Sequence, residues 1–177
     1  INSLLEFSRE SRAEIERVDV NDLLRRTVQL MRKSLESSDV RVRLQLAGSA
    51  FCQANQNAMR QVILNLITNA VQAMPAGGEL TLVTSMPADN RLRLEVADTG
   101  VGVPPQHLTD IFNPFFTTKA PGQGTGLGLS VVHSVVERYG GEIRVDSTPG
   151  VGTTFVVEFP DATDAGAAAE PAAEPAA

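Results

Sequence analysis

The sequence predicts a two-layer α/β sandwich in which three helices pack on one mixed, mostly antiparallel sheet. Segments with helical periodicity and segments that alternate like strands are interspersed, and most neighbouring strands are joined by links of hairpin length. Hydrophobic residues make up 42% of the 177 residues, which is enough for the core of one domain. Because aromatic residues account for only 5% and tryptophan is absent, that core is expected to be aliphatic.

The first part of the chain is expected to hold two complete helices, the end of another, and a strand. Residues 1–14 carry apolar residues at helical spacing and then charges, as at the end of an amphipathic helix. A helix is predicted over residues 21–36, with Asn21 as its N-cap. The alternating VRVRLQL at residues 40–46 predicts a half-exposed strand, and residues 56–74 predict a helix that ends at a proline and a glycine pair.

The second part of the chain is expected to alternate strands, one long loop and one helix. The loop is rich in Gly and Pro, and the helix is closed by a glycine pair. The predicted elements are strands at residues 79–85 and 91–97, a short helix near residues 107–111 within a loop over 98–126, a helix over 127–139, and strands at 142–147 and 153–159.

The formal charge of −6 is unevenly distributed along the sequence. Residues 161–177 contain four acidic residues, no basic ones, and mostly Ala and Pro, so a disordered tail is predicted there. The remainder carries 17 acidic and 15 basic residues. That near balance argues against a nucleic-acid-binding surface and against a basic membrane patch.

The single cysteine, Cys52, cannot form an internal disulfide, which favours a reducing compartment such as the cytoplasm. Apolar runs all stay well short of the roughly 18 residues of a membrane span. The sequence begins at Ile1 without a signal-like segment, so we expect it to be a piece of a longer protein.

A carboxylate is expected at the inner end of the strand that leads into the loop. Strand alternation places Leu92, Leu94 and Val96 on one face, and Asp98 is the next residue on that face. A carboxylate in the core layer needs hydrogen-bond donors, and the amino group of adenine is one, whereas guanine offers an acceptor there. The alternative is that Asp98 simply begins an Asp-Thr-Gly turn.

Amide side chains form a stripe on a helix that is otherwise apolar. The sequence over residues 61–74 contains no charge, and its four amide residues recur at spacings of three and four: Gln61, Asn65, Asn69 and Gln72. Buried amides need partners, and an Asn oxygen is an acceptable ligand for Mg²⁺. The alternatives are hydrogen-bonded core amides or a stripe that faces water.

Two glycine-rich segments, DTGVGVP and GQGTGLGLS, could let backbone N–H groups approach an anion closely. The second segment leads directly into the N-terminus of a predicted helix, which favours anions. The spacing matches neither GxxxxGK[ST] nor GxGxxG, and a flexible loop with a capped helix is the alternative. Lys119 is the only formal cation between Arg93 and Arg138. If phosphates bind, Lys119 must share their neutralisation with Mg²⁺ and backbone amides; otherwise it is a solvated loop lysine.

The remaining reactive side chains do not indicate catalysis. His133 is expected on the solvated side of its helix, and His107 has no acid or hydroxyl arranged as a relay. Cys52 has no charged neighbour that would lower its pKa. Three of the seven phenylalanines lie within residues 112–116, where they either pack under the loop or form a docking surface.

The order of the motifs NLITNA, DTGVG, NPFF, GTGLGLS and GVGTTF resembles the catalytic ATP-binding domain of two-component sensor histidine kinases. That domain shares ancestry with the gyrase, Hsp90 and MutL ATPases, and the resemblance covers about residues 18–160. It implies the Bergerat-type ATP-binding fold. The form PFFTTK is most similar to the nitrogen-regulation-type subgroup.

The resemblance implies a role for each matching residue, with Asn65, Asn69 and Lys119 serving catalysis. Asn69 would coordinate Mg²⁺, and Asn65 would line the same site. Asp98 would accept from the adenine amine, above a floor shaped by Gly100 and Gly102. Lys119 would contact phosphate, and Thr153 would contact adenine through water. A mobile ATP lid would run from Asn113 to the start of the last helix, and its hinge and end would be formed by Gly124, Gly126, Leu127 and Gly128.

The resemblance also implies the domain organisation and the partners. Residues 1–17 would end the dimerisation and phosphoacceptor hairpin, residues 18–160 would be the catalytic domain, and residues 161–177 the tail. The full-length kinase would be a homodimer that phosphorylates its own hairpin and then a response regulator, while this chain would be monomeric. Whether the parent protein is attached to a membrane stays open.

Two positions depart from the family pattern. Asn55 stands where the family usually has an acid, which should affect local capping more than nucleotide chemistry. The phosphoacceptor motif, a His followed by an acid, is absent, so the chain should bind ATP without its own acceptor. The alternatives are a gyrase- or Hsp90-like ATPase, disfavoured because Asn65 replaces a water-activating Glu, and a nucleotide-binding scaffold without chemistry.

Overall fold

The computed structural model describes residues 15–87, 91–118 and 124–160. These residues form three α-helices, seven β-strands and one 3₁₀ turn. The helices are α1 (Val20–Ser37), α2 (Gln56–Ala73) and α3 (Gly128–Arg138), and the 3₁₀ turn is Pro105–His107. The strands are β1 (Glu16–Asp19), β2 (Val40–Gln45), β3 (Phe51–Ala54), β4 (Gly78–Ser85), β5 (Arg91–Asp98), β6 (Glu142–Thr148) and β7 (Gly152–Pro160).

The main sheet has five strands in the order β2-β4-β5-β7-β6. Only the β2–β4 pair is parallel; the other three pairs are antiparallel. The three helices pack on one side of this sheet, so the two-layer sandwich predicted from the sequence is confirmed.

A second, two-stranded sheet joins β1 to β3 in antiparallel register. Neither strand is predicted from the sequence. Each has only four residues, ERVD and FCQA, which is too short for alternation to stand out.

The core lies between the helices and the inner face of the sheet. Along β5 every second residue is buried, and Leu92, Leu94 and Val96 are at most 1% exposed. Helix α2 lies at the centre of the helical layer, in contact with α1, α3 and β5. Its uncharged C-terminal half is buried on the face that carries Leu66, Ile67 and Ala70, and its other face is partly exposed.

Helix α1 begins one residue earlier than predicted, and the cap assigned to Asn21 is wrong. The N-cap is Asp19, whose Oδ1 accepts from the backbone N–H of Asp22 at 3.0 Å. Asn21 lies inside the first turn and is only 4% exposed. Its Nδ2 donates to the carbonyl of Ala47 at 2.8 Å, and its Oδ1 accepts from Oγ1 of Thr84 at 2.6 Å. Asn21 therefore ties α1 to the sheet.

Replacing Asn21 with alanine is expected to destabilise the domain by about 1–3 kcal/mol, because the Thr84 hydroxyl and the Ala47 carbonyl would lose their buried partner. Urea unfolding monitored by circular dichroism measures this loss. The matched control is Gln29→Ala, which removes an exposed amide from the same helix and should change stability by less than about 0.5 kcal/mol. Equal effects of the two substitutions would contradict the assigned role of Asn21.

The short helix expected near residues 107–111 begins earlier, as the 3₁₀ turn Pro105–His107. Proline at its first position presets the helical φ and needs no N–H partner. The turns continue beyond it, because the His107 carbonyl accepts from the N–H groups of Asp110 and Ile111. Asn55 is the N-cap of α2 and accepts from the N–H of Ala58 at 3.0 Å, which agrees with the capping role expected for it.

In the described part of the chain, no helix combines the length and the apolar character needed to cross a membrane. The amphipathic segment predicted at residues 1–14 and the disordered tail predicted at 161–177 lie outside the described residues.

Candidate functional site

The Asp98 carboxylate lies at the inner end of β5 and is 9% exposed, as strand alternation predicts. Its Oδ1 accepts from the backbone N–H of Gly100 at 2.8 Å, and the backbone N–H of Thr153 also donates to it. Burial raises the pKa of Asp98 above its ordinary value, and these two backbone donors oppose that rise. A carboxylate accepts about four hydrogen bonds, so capacity remains for a ligand donor.

A polar row crosses the end of the sheet on its inner face. Asp98 on β5 is paired with Thr153 on β7, and Thr153 is paired in turn with Ser147 on β6. Oγ of Ser147 lies 2.9 Å from Oγ1 of Thr153 and 3.0 Å from the carbonyl oxygen of Gly152. The backbone N–H of Val103 donates to the same Oγ at 2.8 Å. The row is therefore connected to the loop that follows Asp98.

That loop approaches α2 and the β6–β7 turn so closely that only glycine fits at two positions. A Cβ on Gly100 would lie 2.4 Å from the Ala73 carbonyl oxygen, which also accepts from the N–H of Val101. Gly102 has a φ of +71°, and a Cβ there would lie 2.3 Å from the Thr148 carbonyl oxygen. The loop after Asp98 is thus fixed against the C-terminal end of α2.

The amide stripe on α2 divides into an inner pair and two exposed ends. Gln61 and Gln72 are exposed, whereas Asn65 and Asn69 are half-buried. Nδ2 of Asn65 donates to the carbonyl of Gly128 at 3.2 Å. Nδ2 of Asn69 is buried and has no hydrogen-bond partner among the described residues. Buried amides are normally paired, so Asn69 has free hydrogen-bonding capacity inside the site.

The start of α3 faces these two amides. A Cβ on Gly128 would lie 3.7 Å from Nδ2 of Asn69 and 3.9 Å from Oδ1 of Asn65. Among the described residues no side chain caps α3, and its first residues leave backbone N–H groups without intrahelical partners. Such an N-terminus favours an anion. Its N-cap residue, Leu127, is 38% exposed.

A backbone contact holds the segment before α3. The N–H of Phe115 donates to the carbonyl of Gly126 at 2.9 Å, and a Cβ on Gly126 would lie 2.4 Å from the Phe115 carbonyl carbon. Gly126 has a φ of +66°. Gly124 lies two residues earlier, at the start of the last described range. Lys119 lies outside the described residues.

Helix α2 therefore connects the two ends of the candidate site. Asn69 is one helical turn, or about 6 Å, before Ala73, whose carbonyl holds the loop after Asp98. Asn65 lies one further turn towards the N-terminus of α2, where its Nδ2 contacts the first residue of α3, Gly128. One end of the candidate site offers acceptors, on Asp98 and Thr153. The other offers an unpartnered amide and a helix N-terminus, which suits an anion or a metal-bound anion.

Two residues of the site were missed by the sequence analysis, although their signal is present. Ser147 follows Ile143 and Val145 on the inner face of β6, the same pattern that singled out Asp98 on β5. Gly152 precedes Thr153 in GVGTTF, and a Cβ on it would lie 1.9 Å from the Asp98 carbonyl oxygen.

The histidines and the cysteine occupy other settings. Nδ1 of His133 lies 3.3 Å from Oε2 of Glu137 on the outside of α3, and its ring contacts Phe112. The ring of His107 contacts Phe116. Burial raises the pKa of the Cys52 thiol to about 12, so this thiol stays protonated at neutral pH.

Two of the three phenylalanines of the loop pack under it, as one of the two alternatives predicts. Phe112 and Phe116 pack against the core, whereas Phe115 is 74% exposed.

The described residues contain no group of three His, Cys, Asp or Glu side chains that could hold a metal ion. A metal at this site would therefore depend on amide oxygen and on ligand phosphates.

Comparison with known families gives one match over most of the domain. The family described as histidine kinase-, DNA gyrase B- and HSP90-like ATPase matches residues 54–163. The sensor histidine kinase ZraS of Klebsiella oxytoca is 37% identical over 162 residues, and the sensor kinase CckA of Brucella abortus is 37% identical over 175 residues. Each alignment covers 90% of this chain but 34% and 18% of those proteins, so the chain spans at most about a third of their length.

Solved structures with the same fold include nucleotide-free and nucleotide-bound kinases. The nucleotide-free catalytic domain of histidine kinase ThkA is 28% identical with a TM-score of 0.74, over 84% of this chain and 96% of that one. Full-length ShkA in complex with AMPPNP is 33% identical with a TM-score of 0.75, over 90% of this chain and 34% of that one.

Proposed function

The chain belongs to the family of histidine kinase-, DNA gyrase B- and HSP90-like ATPases, and on this basis we propose that it is the catalytic domain of a sensor histidine kinase. It would bind ATP with Mg²⁺ and transfer the γ-phosphoryl group to a histidine on a separate hairpin, for onward transfer to a response-regulator aspartate. The observation that carries the proposal is the arrangement of the candidate site, with buried acceptors at one end and the unpartnered Nδ2 of Asn69 at the other.

The acceptor end suits adenine. The Asp98 carboxylate retains lone pairs after its bonds to Gly100 and Thr153, and the exocyclic amine of adenine is a donor of matching polarity. Guanine presents an oxygen at that position and would face the carboxylate with a second acceptor. Gly100 and Gly102 would form the floor, because side chains there would collide with the Ala73 and Thr148 carbonyls. Thr153 would support the base directly or through water.

The amide end suits a magnesium-bound triphosphate. A rotation of 180° about the last side-chain bond of Asn69 would place its amide oxygen where the unpartnered nitrogen now lies. Asn69 could then serve as a ligand of Mg²⁺. Asn65 would line the same site and hold Gly128 in place. The metal would neutralise charge that develops on the phosphate oxygens during transfer. The α3 N-terminus and its glycines, Gly124, Gly126 and Gly128, would supply backbone donors.

Catalysis would be mainly positioning and charge neutralisation. Lys119 would add a cation at the phosphates, and the segment from Asn113 to Leu127 would act as the lid over them. Asn65 is an amide whose nitrogen already donates to the Gly128 carbonyl. It cannot act as a general base for water at neutral pH, which disfavours efficient ATP hydrolysis.

Similar proteins support the ligand and the partner. ShkA was crystallised with AMPPNP, and ThkA, 25% identical with a TM-score of 0.75, was crystallised with the response regulator TrrA. We extend both to this chain: an adenine nucleotide as ligand, and a response regulator as the final acceptor. A cytoplasmic location, a homodimeric parent and membership of the nitrogen-regulation-type subgroup stay predictions.

Replacing Asn69 with alanine is expected to weaken Mg·ATP binding by about 1–3 kcal/mol, because the metal loses its protein ligand. Titration calorimetry with Mg²⁺ and with EDTA measures this, and the loss should shrink when EDTA is present. The matched control is Asn57→Ala, an exposed amide on the first turn of the same helix, which should leave both affinities unchanged. An equal loss with and without the metal would contradict the metal assignment.

Mixing the chain with the phosphoacceptor hairpin and ATP labelled on its γ-phosphate tests the proposed function. The expected result is label on the hairpin histidine and none on this chain, whose two histidines are His107 and His133. Asn69→Ala serves as the impaired control. Release of free phosphate without labelled hairpin would instead identify an ATPase, and binding without either product a nucleotide-binding scaffold.

A further inference from the structure

We propose that Ser147 is a positioning residue that turns the hydroxyl hydrogen of Thr153 away from Asp98. The pocket then presents two acceptors, the Asp98 carboxylate and the Thr153 oxygen, to the two hydrogens of the adenine amine. This inference rests on the proposed function, and it assigns to Ser147 a part in the selection of adenine over other bases.

The hydroxyl of Ser147 has three close polar neighbours, the Val103 N–H, the Gly152 carbonyl oxygen and Oγ1 of Thr153. A serine hydroxyl has one hydrogen to donate and two lone pairs to accept with. The N–H of Val103 donates to Oγ of Ser147 at 2.8 Å, which uses one lone pair. The carbonyl oxygen of Gly152, at 3.0 Å, can only accept, so it takes the single Ser147 hydrogen.

Oγ1 of Thr153 lies 2.9 Å from Oγ of Ser147. Since the Ser147 hydrogen goes to Gly152, the contact is a hydrogen bond only if Thr153 donates to Ser147. This assignment satisfies all three contacts at once, and the opposite one leaves the Ser147 oxygen facing the Gly152 carbonyl oxygen without a hydrogen between them. Thr153 is 4% exposed, so water offers little competition.

Asp98 occupies the position paired with Thr153 on the neighbouring strand. Side chains at such paired positions have Cβ atoms about 4.5–5.5 Å apart. Without Ser147, the Thr153 hydroxyl would turn its hydrogen towards the Asp98 carboxylate, the strongest acceptor nearby. That bond would occupy one of the two lone pairs that the Gly100 and Thr153 N–H groups leave on the carboxylate, and it would turn the lone pairs of the Thr153 oxygen away from the position of the adenine amine. Ser147 prevents this.

The experiment compares two ligands in each variant. ATP carries the 6-amino group, and purine riboside triphosphate carries hydrogen in its place while keeping the ring and the phosphates. Dissociation constants for both are measured by titration calorimetry on the wild-type chain, Ser147→Ala and Ser147→Thr. Ser37→Ala, an exposed hydroxyl at the end of α1, is the matched control.

Ser147→Ala should weaken ATP binding about tenfold more than it weakens binding of the analogue. Loss of the Val103 contact or general loosening of the loop would weaken both ligands equally and leave the ratio of their affinities unchanged. Ser147→Thr keeps the hydroxyl and should keep the wild-type ratio, as should Ser37→Ala. Thermal unfolding of each variant confirms that the ratio is measured on folded protein.

An unchanged ratio in Ser147→Ala, or the same altered ratio in Ser147→Thr, would overturn the inference. The proposed function fails separately: in that case the wild-type chain itself does not bind ATP. A wild-type chain that binds ATP, with the same ligand ratio in all variants, leaves the proposed function standing and removes only the role of Ser147.

Discussion

Replacing Asp98 with asparagine is expected to weaken ATP binding by about 1–3 kcal/mol, because the adenine amine loses a charged acceptor in a buried position. The substitution keeps the shape of the side chain, so the loss reports the charge and the acceptor capacity of the carboxylate. Titration calorimetry with ATP measures the affinity. The matched control is Asp146→Asn, the same chemical change at an exposed position on β6, which should leave ATP affinity unchanged.

The same substitution is expected to leave the nucleotide-free domain at least as stable as the wild type. Burial raises the pKa of Asp98, so its charged form costs stability at neutral pH. A carboxyl with a raised pKa contributes stability below its unfolded pKa of about 3.8 and loses that contribution as pH rises through the folded pKa. The stability gained by Asp98→Asn should therefore be present at pH 7 and shrink towards pH 3.

Weaker ATP binding together with equal or higher stability would identify Asp98 as a residue kept for its ligand. Parallel losses of stability and affinity would show that Asp98 serves the fold, as the first residue of an Asp-Thr-Gly turn. Thermal unfolding at several pH values, run beside the calorimetry, separates these two roles.

Replacing Gly152 with alanine is expected to have the largest effect on stability, about 3 kcal/mol or more. The new Cβ would lie 1.9 Å from the Asp98 carbonyl oxygen and 3.1 Å from Cα of Thr99. Both are backbone atoms of the neighbouring strand end, so no side chain can move aside. Gly152 also has a φ of +142°, which L-residues rarely adopt. Chemical unfolding measures the loss.

Two other glycines provide matched controls, because they separate the clash from the backbone conformation. Gly150 has a φ of +76° but nothing within 4 Å of a new Cβ, so Gly150→Ala should cost about 1 kcal/mol. Gly48 has open space around it and a φ outside the left-handed region, so Gly48→Ala should be neutral or slightly stabilising. A Gly152→Ala variant no less stable than Gly150→Ala would contradict the close packing at Asp98.

Much of the sheet and its inner face could be predicted from local patterns. The alternation over β4 and β5 indicates which residues are buried, and it identified Asp98 because a carboxylate continued an apolar row. The uncharged, mostly apolar sequence over residues 61–74 indicated that α2 contributes to the core. The parallel pairing of β2 with β4 does not follow from alternation, because alternation indicates the buried face of a strand and not its neighbour in the sheet.

The residues that were missed depend on distant parts of the chain. Asn21 has the side chain of an N-cap, but partners 26 and 63 residues away, Ala47 and Thr84, draw it into the core. The clash that requires glycine at residue 152 involves the backbone of residue 98, and no local pattern contains it. The unpartnered state of the Asn69 amide likewise becomes visible only once α3 is packed against α2.

A crystal structure of the chain with an ATP analogue and Mg²⁺ tests the central claim most directly. The account predicts the adenine amine at the Asp98 carboxylate, with the phosphates between the Asn69 amide and the N-terminus of α3. A candidate site filled by protein side chains, or a nucleotide bound elsewhere with Asp98 and Asn69 untouched, would contradict it.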